Sequence, residues 1–305
     1  MATVIEDAGE PPEPAAPSRM RCFFAHPLVL LPIGVAMVML GAVLPGMALH
    51  FAPVPRTSIL QATSGLLYGL CGLLAYFAFR RWVERAPRAA IQPRRALREL
   101  AGGVLAGFAL FSLATGVVAL LGGFAVVGLR GEGDLWYWLG VAFYSGMVEE
   151  ALFRGVIQRQ LEAMFGTWAS LATTSAFFGL AHLMNPGATY FAAFAIACEA
   201  GVLLGAAYLV TRRLWVPIGL HMAWNFTQGW VYSIPVSGSR PPIGLLETRL
   251  SGPEWLTGGA FGLEASAVAL VVASVAGVAL LAVAHRQGGF LPPRWKRGQG
   301  VSLPG

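Results

Sequence analysis

The sequence predicts an all-α, polytopic transmembrane bundle of about eight helices, and three observations carry that prediction. Hydrophobic residues fill 56% of the 305 positions and charged residues only 12%, whereas a soluble domain is roughly one quarter charged. Mean hydropathy is +0.64. The apolar residues gather into runs of about 20, long enough to cross ~30 Å of hydrocarbon as helix. These runs lie near 27–50, 58–79, 99–128, 135–160, 167–186, 188–210, 214–235 and 259–284.

Taken in order, residues 1–18 are rich in Pro, Ala and acidic side chains, a composition unable to bury a core, so a disordered tail is expected there. The run at 27–50 follows Arg19 and Arg21 as a signal peptide would. Its apolar part exceeds the ~7–15 residues of a signal h-region and lacks a small-residue cleavage site, so it reads as an uncleaved first helix. Residues 19–286 then form one transmembrane domain, its polar clusters confined to about 135–230, and 287–305 form a cytoplasmic tail. Pro32, Pro45, Pro186 and Pro217 mark kinks or span ends. The stretch 235–262, with its Pro and Gly pairs, reads as an extracytoplasmic loop, partly re-entrant.

Loop charge orients the bundle. Arg80, Arg81, Arg85, Arg88, Arg94, Arg95 and Arg98 crowd one connection, Arg212 and Arg213 mark another, and Arg286, Arg294, Lys296 and Arg297 follow the last run. With eight helices these fall on the side of Arg19 and Arg21, while basic residues of the opposite loops, such as Arg130 and Arg249, sit beside acidic ones. Both termini are therefore expected in the cytoplasm. The formal charge of +6 thus serves orientation, and without a basic stripe interleaved with aromatics a nucleic-acid partner is not expected. Cys22, Cys71 and Cys198 have no paired spacing, which argues against a disulfide framework or a Cys-based metal site.

Three polar clusters interrupt the apolar runs: Glu149-Glu150-x-x-x-Arg154, Phe178-x-x-x-His182 and His221-x-x-x-Asn225. Ionisable groups in hydrocarbon cost roughly 2.5–3.5 kcal/mol each on insertion scales and mark functional sites or wet cavities. Residues four apart share a helix face while neighbours differ by about 100°. Glu150 and Arg154 can therefore pair, leaving Glu149 free as a general base; the alternative is a packing ion pair at a helix end. His182 would orient the water that Glu149 deprotonates, or else bond a neighbouring carbonyl. His221 and Asn225 would point two donors at one oxyanion, or else act as interhelical glue. Counted at ~1.5 Å per residue from the cytoplasmic ends, Glu149 lies ~18 Å deep, His182 ~22 Å, His221 ~10 Å and Asn225 ~16 Å, so convergence needs tilt or kinks.

In this order the clusters resemble the CAAX prenyl protease 2 and bacteriocin-processing group of intramembrane proteases, known as CPBP or Abi. Gly201 to Gly205 and Leu214 to Pro217 are similar to the family's approach to its last motif, and the resemblance covers about residues 135–230. It implies hydrolysis of a peptide bond in a membrane-associated protein or peptide at the lipid bilayer. Glu149 is then the water-activating residue with His182 beside it, His221 and Asn225 are the oxyanion donors, and Glu150, Arg154 and Phe178 are supporting residues. Glu199, in mid-span, lies outside the pattern and either lines the same cavity or pairs with Arg212. Glu264 has no assigned role.

A metal-free, glutamate-based reaction is expected, since no H-E-x-x-H helix is present. The alternative is zinc held by Glu149, His182 and His221. A non-catalytic membrane immunity or scaffold protein is the rival class, and a transporter is disfavoured by the absence of repeats. Abundant Ala, Gly and Arg with little Lys points to a GC-rich bacterial genome and hence a bacterial plasma membrane, where a prenylated substrate is not expected.

Overall fold

The computed structural model describes residues 19–51, 58–87, 95–240 and 243–297. The expected tail at 1–18 lies outside them. A short helix α1 (Arg19–Phe24) leads into α2 (Pro27–Phe51), which opens on a proline, a residue suited to the first helical turn because its missing N–H would have no partner there. Pro32 and Pro45 lie within α2. Helix α3 (Ser58–Ala78) widens into a π-turn at Phe79–Val83, and α4 (Ala96–Leu120) follows.

Two expected spans shift at the end of the bundle away from the basic connections. The run 99–128 is helical only to Leu120, because Gly122, at φ 77°, turns the chain. Beyond it Phe124-Ala-Val-Val-Gly-Leu129, with β-branched residues at its centre, forms strand β1. It pairs antiparallel with β2 (Leu246–Leu250), Phe124 opposite Leu250. This pair is the non-helical exception to the predicted fold. The last span begins at Ala267 instead of 259, since Gly258, Gly259 and Gly262 all take positive φ.

Helix α5 (Leu135–Tyr144) runs through π-helical turns at Ser145–Glu149 and Ala151–Gln158 into α6 (Arg159–Ala181), which breaks at Gly166 (φ 79°, ψ 172°). The break separates two spans that lie side by side, with Ser170 Oγ donating to the Gln158 carbonyl across them. Helix α7 (Tyr190–Ile196), a π-turn at Ala197–Val202 and α8 (Leu203–Thr211) make one span. Helix α9 (Trp215–Phe226), ending in a π-turn at Thr227–Val231, the short α10 (Glu254–Thr257) and α11 (Ala267–Arg286) complete the chain.

Five segments are long and apolar enough to cross a membrane by length and composition: Pro27–Leu49, Ala62–Val83, Ala96–Leu120, Tyr190–Thr211 and Ala267–Arg286. The other three expected spans are also helical for most of their length, and they carry the polar clusters. Helices α4 and α9 pack at backbone distance: a Cβ on Gly103 would strike the Val216 carbonyl and one on Gly219 the Leu100 carbonyl. Small residues permit such contact where lipid provides no hydrophobic drive for helices to associate.

The basic connections gather at one end of the bundle. There Arg159 pairs with Glu84 at 2.6 Å, Arg212 with Glu162 and Arg213 with Glu99. The stretch after α11 docks onto the same end, with Arg297 donating to the Glu162 carbonyl at 2.7 Å and the Thr167 amide to the Leu291 carbonyl at 3.0 Å. Arg130–Glu247 at 3.1 Å and Arg240–Asp134 at 3.3 Å tie the opposite end.

Candidate active site

The three clusters converge between α5, α6 and α9. Arg154 and Glu150 are each 0% exposed, and Arg154 Nη1 donates to Glu150 Oε1 at 2.8 Å. Arg154 Nη2 donates to the Ala200 carbonyl at 2.9 Å, tying this pair to the π-turn between α7 and α8. The guanidinium carbon lies 4.7 Å from the centre of the Phe178 ring, a cation–π contact in a desolvated setting. Phe178 in turn stands 4.8 Å from the His182 ring and 6.2 Å from the His221 ring, centre to centre. The phenylalanine of the second cluster therefore covers Arg154 and spaces the two imidazoles.

Glu150 has a second task. Its Oε1 lies 2.8 Å from His221 Nδ1, and because a carboxylate only accepts, Nδ1 carries the proton. Nε2 of His221 is then turned toward Glu149, 4.0 Å from Oε2. The Glu149 side chain is 28% exposed, against 0% for Glu150. Adjacent and chemically identical, the two glutamates hold opposite sides of one imidazole: Glu150 fixes its tautomer, and Glu149 faces its other nitrogen from a solvent-accessible position.

His182 Nδ1 lies 2.7 Å from the Phe178 carbonyl, one turn back on its own helix. The carbonyl can only accept, so this nitrogen also carries the proton and Nε2 is left for other partners. Asn225 donates from Nδ2 to Ser145 Oγ at 2.9 Å, leaving one amide N–H for another acceptor. Ser145 has no place in the three clusters. The sequence does hold a weak signal for it, a buried polar residue four positions before Glu149.

Phe178, His182, His221 and Asn225 line one cavity, which opens to solvent. Glu149, Glu150 and Arg154 lie outside that lining. Glu199 and Glu264 lie on it. Arg212 is spent on Glu162, so its pairing with Glu199 is not formed. Among the described residues no three His, Cys, Asp or Glu side chains are grouped to hold a metal ion; the bond from His221 Nδ1 to Glu150 leaves Nε2 as the ring's open nitrogen.

Helical interruptions position the site. π-Helical turns are rare and concentrate at functional sites; here one ends on Glu149, the next holds Arg154, a third holds Glu199, and a fourth begins two positions after Asn225.

Residues 131–227, which contain all three clusters, match the family described as Rce1-like, type II CAAX prenyl endopeptidase. The match is consistent with an intramembrane protease of the CPBP group. Searches of curated proteins and of solved structures return no match.

Proposed function

Starting from the match of residues 131–227 to a family of endopeptidases, we propose that this chain is an intramembrane endopeptidase acting on a membrane-associated protein or peptide. The observation that carries the proposal is the placement of His221 between a buried, charge-paired Glu150 and an accessible Glu149. Such a group of carboxylate, imidazole and amide provides a base and oxyanion donors within one site.

Water bound between Glu149 and His182 Nε2 loses a proton to Glu149 as its oxygen attacks the scissile carbonyl carbon. The free N–H of Asn225 donates to the oxygen that becomes negative. His221 adds a second donor from Nε2 when its ring carries both protons, with Glu150 balancing the charge. Each donor of this kind is worth roughly 2.7–4 kcal/mol to the transition state. The C–N bond then breaks, and the proton held by Glu149 passes to the leaving amine. Arg154 anchors Glu150 through their ion pair, and Ser145 and Phe178 hold Asn225 and the two rings in place. Both termini lie in the cytoplasm of a bacterial plasma membrane in this reading, supported by the arginines gathered at one end of the bundle.

The test is mass spectrometry of membrane peptides from cells carrying the wild type or Glu149→Gln. A cleavage product present with the former and absent with the latter, at equal protein levels, supports the peptidase. Full biological activity of Glu149→Gln favours the scaffold protein instead. Elemental analysis of purified protein checks the metal-free chemistry: stoichiometric zinc whose removal abolishes cleavage would sink it.

A further inference from the structure

Two carboxylates of the cavity have no part in the mechanism above. Glu199 and Glu264 are each 2% exposed and lie close enough to interact electrostatically. Glu264 is held in place, accepting at Oε1 from the Ser237 amide and, at 2.9 Å, from its hydroxyl. Among the described residues Glu199 Oε2 has no hydrogen-bond partner. The nearby cations are spent: Arg154 on Glu150 and the Ala200 carbonyl, Arg212 on Glu162. Among the described residues no Lys or Arg pairs with either carboxylate. His221, which acts electrostatically on Glu264, is bonded to Glu150.

A buried carboxylate is expensive unless a proton or a cation neutralises it, and an orphaned one on a cavity wall can exchange that proton for a ligand of opposite charge. The rest of the wall narrows the class. Leu203, Leu204, Leu220 and Ile196 give the cavity an apolar sleeve, and the same space reaches His182, His221 and Asn225. An apolar sleeve with two carboxylates is complementary to an aliphatic stem that ends in a cation. We propose that Glu199 and Glu264 form a subsite for a lysine or arginine side chain of the substrate, beside the bond to be cut. The assignment of this cation to a substrate rests on the peptidase reading; the cation site itself does not.

Binding is tested first without proteolysis, using n-butylammonium as the probe and n-butanol as its uncharged counterpart. The expected result is a rise of about 3 °C in the unfolding midpoint of detergent-solubilised wild type with butylammonium and none with butanol. Glu149→Gln shows the same rise, and Glu199→Gln and Glu264→Gln, which keep side-chain volume, lose it. No rise in the wild type, or an equal rise in the Glu199 and Glu264 variants, overturns the site. Paired peptides carrying lysine or norleucine near the scissile bond then test specificity. Wild type prefers lysine roughly tenfold or more in kcat/KM, as a hydrogen bond to a charged group implies, and Glu199→Gln brings that ratio to about one. A loss shared equally by both peptides overturns the subsite. Failure of the wild type to cut either peptide, with butylammonium protection intact, overturns the peptidase reading and leaves the cation site supported.

Discussion

Exchanging each of the adjacent glutamates for glutamine separates their roles by stability as well as by activity. Glu150→Gln keeps the volume and an acceptor oxygen but removes the charge that balances Arg154, itself 0% exposed and otherwise bonded to backbone carbonyls and a ring face. Leaving a buried ion without its partner costs about 3–5 kcal/mol, and the retained acceptor places this case near the lower end. At roughly 2–4 °C per kcal/mol, about 3 kcal/mol lowers Tm by roughly 6–12 °C. Glu149 is 28% exposed and its nearest ionic contact is 4.0 Å from His221 Nε2, so Glu149→Gln is expected to change stability by no more than about 0.5 kcal/mol. Its effect falls on turnover instead, by roughly 10²–10⁴-fold for loss of a general base. The assay is thermal unfolding of both variants in one detergent, followed by circular dichroism, with cleavage measured below both midpoints. Equal melting of the two variants, or cleavage retained by Glu149→Gln, would refute the reasoning.

Three further outcomes follow from the geometry. Ser145→Ala frees Asn225 Nδ2 from its 2.9 Å bond, and kcat is expected to drop roughly tenfold with KM unchanged, because a donor used in the transition state has lost its orientation. Gly166→Ala places a Cβ 2.7 Å from the Leu291 carbonyl at a backbone φ of 79°; destabilisation of at least about 1 kcal/mol is expected in chemical unfolding. Glu264, in the loop before α11, has its carboxyl pushed up by burial from 4.5 to about 7, against hydrogen bonds from Ser237 and Gln228 and the nearby His221, which lower it. The folded state thus holds the proton more tightly than the unfolded chain, so this group's contribution is complete below about pH 4.5 and is lost as pH rises through about 7, on the order of 3 kcal/mol in all. Glu264→Gln should flatten the difference between unfolding midpoints at pH 5 and pH 8, whereas an unchanged difference would assign the dependence to other groups.

Much of the bundle was legible because membrane burial leaves a coarse record in sequence. Runs of about 20 apolar residues mark the spans, and of the arginines counted toward one side, Arg80, Arg212 and Arg213 stand at one end of the fold, tied to Glu84, Glu162 and Glu99. Span ends were less legible where glycine intervened. Hydropathy does not distinguish a helix from the strand at Phe124–Leu129, and Gly122 and Gly262 act through φ, which composition does not express.

For the site, the sequence by itself determined which side chains share a face, since helical spacing alone separates Glu149 from Glu150 and aligns Glu150 with Arg154. Contacts between helices were decided only by the tertiary structure. That Glu150 grips His221 across 71 positions, that Ser145 holds Asn225 across 80, and that Glu199 shares a cavity with Glu264 instead of pairing with Arg212 depend on how spans tilt and where π-turns widen them. The physical reason is range: periodicity reports rotation about one helix axis, while a catalytic distance depends on the relative placement of several axes, set by glycine contacts and helical defects that no single segment encodes.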